Sequence, residues 1–273
     1  MTEGRLTIET QGHCATVRID NPRMRNAITS AMWRQFPALI GELENRPTVK
    51  VIVIRGAGEN FSAGADIGHL DEILSDDDGG LPSVAEEAVA HCSKPVIAAI
   101  DGFCIGGGWE IAGACDLRLA TDRARFAITP AKLGIIYPLP AIRRLVDLVG
   151  RGPAKDLLLT GRMVDAGEAA DLGLLTRTCE VDRFDDAIAE LADTLARRSQ
   201  FSIQAMKNLI DTLLDSPELL AQRNAIWQQE MRHGSDAANG IHAFLERREP
   251  EFDWPGGILA QPSPTAGRVL TTG

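Results

Sequence analysis

Residues 95–114 read Pro95-Val96-Ile97-Ala98-Ala99-Ile100-Asp101-Gly102-Phe103-Cys104-Ile105-Gly106-Gly107-Gly108-Trp109-Glu110-Ile111-Ala112-Gly113-Ala114. The run 95–100 is apolar without interruption, as a strand buried on both faces of a parallel sheet must be. Asp101-Gly102 closes it, and Gly107-Gly108 opens a helix whose first amides are uncovered. Free N–H groups and the helix dipole there favour negative charge. An earlier β-branched run, Val49-Lys50-Val51-Ile52-Val53-Ile54, leads into a second loop of the same kind, Asn60-Phe61-Ser62-Ala63-Gly64-Ala65-Asp66-Ile67. Two amides from two such loops, aimed at one oxygen, make an oxyanion hole.

Outward from this pair, strand and helix patterns alternate, which predicts a spiral or layered α/β core. Residues 6–10 and 15–19 alternate apolar and polar side chains as half-buried strands do, with a turn at Gly12-His13. Thr29 or Ser30 can cap a helix carrying Met32, Phe36, Leu39, Ile40 and Leu43 on one face; Pro37 lies inside that pattern and conflicts with it. Residues 71–87, with Asp76-Asp77-Asp78-Gly79-Gly80 at their centre, read as a mobile surface excursion. Short strands follow at 117–119 and 125–128. Beyond Pro140 the periods are helical: 142–149, 154–159, 184–196, 202–214, 217–231 and 237–248. The expected organisation is a core over 1–198, a helical region over 199–253 and a Gly/Pro-rich tail over 254–273.

The chain has 273 residues and a net charge of −10, with 44% apolar and 24% charged residues. That balance excludes global disorder and argues against a nucleic-acid partner, which needs a basic footprint. No apolar stretch approaches the ~20 residues that span a bilayer, and the first residues lack an apolar signal core, so no membrane partner is expected. Five cysteines without a C-x-x-C pair read as free thiols in a reducing cytoplasm; five scattered histidines predict no metal.

The motifs Asn21-Pro22…Asn26-Ala27, Phe61-Ser62-Ala63-Gly64-Ala65-Asp66-Ile67, Gly106-Gly107-Gly108-Trp109-Glu110, Lys132-Leu133-Gly134 and Ala243-Phe244-Leu245-Glu246-Arg247-Arg248 occur in this order. With them the chain resembles the crotonase superfamily, the enoyl-CoA hydratase/isomerase family, from about Leu6 to Phe252. The resemblance implies an α/β fold, a crotonase-like spiral ββα core with an α-helical C-terminal trimerisation region, assembled as a homotrimer or homohexamer. It implies an acyl-CoA thioester substrate and no tightly bound cofactor, coenzyme A arriving as part of the substrate. By position, the Ala65 and Gly107 amides match the family's two oxyanion donors. Ala63, Ala65, Asp66, Ile67 and Gly107 fall where the family borders coenzyme A.

Glu110 matches the first of the two glutamates of hydratases, and an apolar setting suits it to acid–base work. Pro130 falls at the position of the second, and a proline side chain moves no proton. Hydration or isomerisation of an enoyl-CoA is the primary expectation. Decarboxylation of a malonyl- or methylmalonyl-type CoA is the alternative, and a non-catalytic coenzyme A- or RNA-binding role is the reading of another class. The segment Thr129-Pro130…Leu133-Gly134…Tyr137 looks like the methylmalonyl-CoA decarboxylase branch, which has tyrosine at this point. Tyr137, the one tyrosine of the chain, is thus a site candidate or a packing aromatic. Asp66 fits a helix cap as well as a ligand contact, and Trp109 fits pocket or core. Arg25, with Arg23, Lys207, Arg247 and Arg248, could supply cations for the coenzyme A phosphates, or simply face solvent. His69 and His91 are given no role.

Overall fold

The computed structural model describes residues 4–74, 79–213 and 216–256. Its strands are β1 (Arg5–Gln11), β2 (Cys14–Asp20), β3 (Val51–Gly56), β4 (Val96–Ile100), β5 (Phe103–Ile105), β6 (Leu117–Thr121), β7 (Arg125–Ala127), β8 (Met163–Asp165) and β9 (Arg177–Cys179). The first half holds helices α1 (Ser30–Glu44), α2 (Leu70–Ile73), α3 (Gly80–Ala90), α4 (Gly107–Ala114) and α5 (Pro130–Leu133). The second half holds α6 (Leu139–Val149), α7 (Arg151–Thr160), α8 (Ala166–Asp171), α9 (Phe184–Arg197), α10 (Gln200–Asp211), α11 (Pro217–His233) and α12 (Asp236–Glu246).

The large sheet runs β1-β2-β3-β4-β6-β9, parallel except for the β1–β2 hairpin, whose turn uses Gly12 at φ 58°. A small sheet runs β5-β7-β8. The chain passes from β4 to β5 and from β6 to β7, crossing each time from the large sheet to the small one before a helix. This ββα step is the spiral. Both faces of the large sheet are covered, which explains its unbroken apolar runs. Ile52, Ile54, Val96, Ala98 and Ile100 belong to a core with α1, α3 and α4. Val51, Val53, Ile97 and Ala99 face Phe184, Ile188 and Leu191 of α9.

Three expectations are corrected. The described residues of 71–87 are mainly helical: α2 and α3 bracket residues 75–78, which include Asp76, Asp77 and Asp78 and lie outside the described residues. Pro82, Ala85, Glu86 and Val89 of α3 are buried, so α3 is part of the packed molecule and not a surface excursion. α1 continues through Pro37, because Met32, Trp33, Phe36, Leu39 and Ile40 bury a full face and outweigh one missing amide. The tail does not begin at Trp254. Its ring lies 5.7 Å from Phe201 and 6.2 Å from Trp227, and its Nε1 donates to Glu230 Oε1 at 3.0 Å. Residues 257–273 lie outside the described residues.

α10 is tied to the core by Lys207, whose Nζ donates to Asp116 Oδ2 at 2.7 Å. Beyond that tie, α10 and α11 build a small core of their own around Phe201, Ala205 and Trp227. Met206, Ile210, Ile241, Phe244 and Leu245 stay exposed on α10 and α12.

Candidate active site

The two glycine-containing loops meet. Residues 62–65 are pinned on one side by a Ser62↔Cys104 bridge to β5 and on the other by an Ile28↔Ala65 bridge. Asn26, fully buried at φ 59°, braces the same loop. Its Nδ2 donates to the Ala57 and Asn60 carbonyls at 2.8 and 2.7 Å, and its own carbonyl accepts from Ser62 Oγ.

Gly64 (φ 108°) and Gly106 (φ 54°, ψ −120°) each stand one residue before a candidate donor. Both take left-handed backbone that a side chain would oppose. A Cβ on Gly107 would lie 3.1 Å from Ala65 N and 2.8 Å from Trp33 Cζ2, so the two amides are close neighbours on a floor without room for a side chain. Neither Ala65 N–H nor Gly107 N–H donates a hydrogen bond to another described residue.

Above them lies a cavity of about 260 Å³ lined by Ala63, Gly64, Ala65, Ile67, Gly107, Glu110 and Tyr137. Its walls are Leu70, Ile73 and Leu74 around α2, Pro82 of α3, and the 129–138 segment, including Thr129, Pro130, Ile135 and Ile136. Two charged side chains reach the lining, Glu110 and Lys132, and the Lys132 stem lies against Gly161. Glu110 is buried on the first turn of α4, and its carboxyl has no hydrogen-bond partner among the described residues. Burial pushes it up to about 8. The Tyr137 hydroxyl is buried, unpaired and held well above the usual phenol range by burial and by the nearby Glu110. Such a chamber can take an apolar acyl group, polarise its carbonyl at two amides and move a proton at one carboxyl.

Asp66 and Arg25 do not line the cavity. Asp66 accepts from Gly68 N at 3.1 Å and pairs with His69 Nδ1 at 3.1 Å, the cap geometry. Arg25 lies at the rim: its carbonyl accepts from Ala63 N, and its guanidinium stacks over Phe103 at 5.2 Å. Lys207 is committed to Asp116 and is not free for a phosphate. Trp109 packs edge-on against Phe126 and does not reach the chamber. His91 pairs with Glu87. Burial pushes the Cys115 thiol up to about 12, so it behaves as a small apolar residue.

Sequence reading missed Glu86. Its side chain is fully buried on α3, and burial pushes it up to about 9. The signal was present: Pro82, Ala85 and Val89 mark a buried helical face that includes position 86. Among the described residues, no group of three or more His, Cys, Asp or Glu could hold a metal ion, and no helix is long and apolar enough to cross a membrane.

A sequence model of the family described as "Enoyl-CoA hydratase/isomerase" matches residues 9–255. A "Putative enoyl-CoA hydratase" of Thermus thermophilus is 34% identical, covering 89% of this chain and 98% of its own length. A "Probable enoyl-CoA hydratase" of Rhizobium meliloti is 33% identical, covering 90% and 97%. A crystal structure described as an enoyl-CoA hydratase/isomerase family member superposes with a TM-score of 0.88 at 41% identity, covering 93% of this chain and all of that one.

Proposed function

The chain belongs to the enoyl-CoA hydratase/isomerase family, and from that membership we propose a reaction for its chamber: proton transfer on an enoyl-CoA, as hydration or double-bond migration. It is a crotonase-superfamily enzyme acting on an acyl-CoA thioester. In the proposed mechanism the Ala65 and Gly107 amides hold the thioester oxygen as it gains charge. Two pre-aimed donors in a dry site stabilise an enolate, each worth ~3–4 kcal/mol of transition-state energy. Glu110 is the acid–base group. Double-bond migration needs one proton-carrying group, which takes a proton from one carbon and returns it at another. Hydration must also hold a water, for which the lining offers the Tyr137 hydroxyl, with Thr129 and Lys132 as its other polar residues. Ala63, Ile67 and Asp66 border the coenzyme, and Arg25 at the rim meets a phosphate.

The observation that carries this reading is one buried, unpaired carboxyl facing the same cavity as two unpaired amides. Crotonyl-CoA and a 3-enoyl-CoA, followed by enoyl absorbance, are the substrates to offer. Glu110→Gln is expected to lower kcat by roughly 10²–10⁴-fold; unchanged turnover would overturn the role.

Decarboxylation of a malonyl-type CoA remains the second reading, favoured by Pro130 in place of a carboxylate and by Tyr137 in the lining, the pattern of the methylmalonyl-CoA decarboxylase branch. It needs the oxyanion hole and no second carboxyl. Release of CO2 from methylmalonyl-CoA would select it. The exposed apolar faces of α10–α12 support self-association into a trimer or hexamer through 199–253. The free thiols support a cytoplasmic setting.

A further inference from the structure

A second small cavity, separate from the acyl chamber and called the rear cavity below, is lined by Glu86, Trp109, Glu110, Gly113 and Arg144, among others. Glu110 lines both spaces and is the one residue they share. About 10 Å³ of the rear space is open to the centre of a water molecule, room for one. Both Glu86 carboxyl oxygens and Arg144 Nη1 are buried there without a hydrogen-bond partner. Arg144 Nη1 stands 3.4 Å from Glu86 Oε2, at ion-pair distance but outside hydrogen-bond geometry. Three orphaned polar atoms around a one-water space are what a bridging water satisfies.

We propose that Glu86 is a positioning residue for Glu110, exchanging a proton with it through one water in the rear cavity. The step balances: the Glu86 carboxyl gives a proton to the water, the water gives one to the Glu110 carboxylate, and the negative charge moves to Glu86 beside Arg144. The reverse step unloads Glu110. The loop position of the family's second glutamate is proline here, so Glu86 is a second carboxyl reached through the rear cavity, on a different element. The exchange lets Glu110 be set while substrate fills the front chamber. This inference rests on Glu110 as the acid–base group.

The charged and titratable groups facing Glu86 are Glu110 from α4, Arg144 from α6, and Glu87 on its own helix; Glu87 is in turn paired with Arg144 and His91. Tyr137 faces the pair from the front. Burial and the like charge of Glu110 raise Glu86, and Arg144 opposes them. An ionised Glu86 must in turn hold the proton on Glu110 more tightly.

Infrared titration of protonated carboxyl bands tests this independently of turnover. Wild type is expected to show two buried bands. Glu86→Gln, close in shape to the neutral acid, is expected to remove the band that titrates higher, and Glu110→Gln to lower the titration of the Glu86 band by roughly one pH unit, because the Glu110 charge adds to burial in raising it. Glu86→Gln should also lower kcat about tenfold with KM within about twofold. A Glu86 band that Glu110→Gln leaves in place, or a folded Glu86→Gln protein with unchanged kcat, would overturn the proposal. Arg144→Met gives a second route that leaves both carboxyls in place. Loss of the cation should keep Glu86 neutral to higher pH; an unmoved Glu86 band again overturns it. A shifted band in a protein that turns over no acyl-CoA would support the carboxyl pair while sinking the proposed reaction.

Discussion

Glu110 has a cost that shows in stability as well as in rate. Its carboxyl titrates near 8 in the folded chain against an ordinary value of 4.5, because burial disfavours the charge. Between those values the folded state binds more protons than the unfolded one. The stability this gives is complete below about 4.5 and is lost as pH rises through about 8, at roughly 1.4 kcal/mol per pH unit. Melting temperature should therefore fall with rising pH across that window, and Glu110→Gln should make the fall shallower, Glu86 still contributing, while also lowering activity. A variant with an unchanged slope would show that the carboxyl is not strained by its setting. The same residue marks what sequence could reveal. The two glycine loops suggest an amide-lined site, and the role of Glu110 in it comes from the family resemblance. That carboxyl residues of α3 and α4 line one small cavity is a matter of packing, and Glu86 carries no motif.

At the scale of elements, a buried cation holds α10 to the sheet. Lys207 Nζ donates to Asp116 Oδ2 at 2.7 Å and to the Lys94 carbonyl at 3.3 Å, while Asp116 also accepts from Val96 N at the start of β4. Lys207→Met leaves that carboxylate without its counter-charge, and should cost roughly 3–5 kcal/mol, read as a lower urea midpoint. A Lys207→Met/Asp116→Asn double variant should recover part of the loss; a single variant as stable as wild type would show the tie to be idle. The long elements were legible because their faces are periodic or uniformly apolar: β3, β4, α1 and α9 follow from side chains alone. β5, β8 and β9 were not, since three-residue strands such as Met163–Asp165 exist through their partners and not through their own pattern. The acid-rich run before α3 obscured a helix whose burial depends on neighbours distant in sequence.

For the molecule as a whole, the last helices look unfinished. Phe244 is 82% exposed and Leu245 73% exposed, both on α12. A second copy of the chain is the cover we propose, and light scattering after gel filtration measures it. Phe244→Asp with Leu245→Asp should shift the mass toward a monomer; a wild-type chain that already runs as a monomer would remove the proposal.

On the proposed mechanism, the grip on the thioester and the fit to its acyl tail are built into different parts of the spiral. The two amides sit on segments stapled to strands, so their separation is inherited from the lateral pitch of the sheet and from the asparagine strut beneath it. The chamber walls come from the short helices α2 and α5 and the loop after them, where exposed side chains such as Leu133 and Ile136 lie outside the main core. Drift in those walls can therefore retune which tail is admitted, or what becomes of it, without loosening the clamp, and a single frame can serve many thioester chemistries in turn.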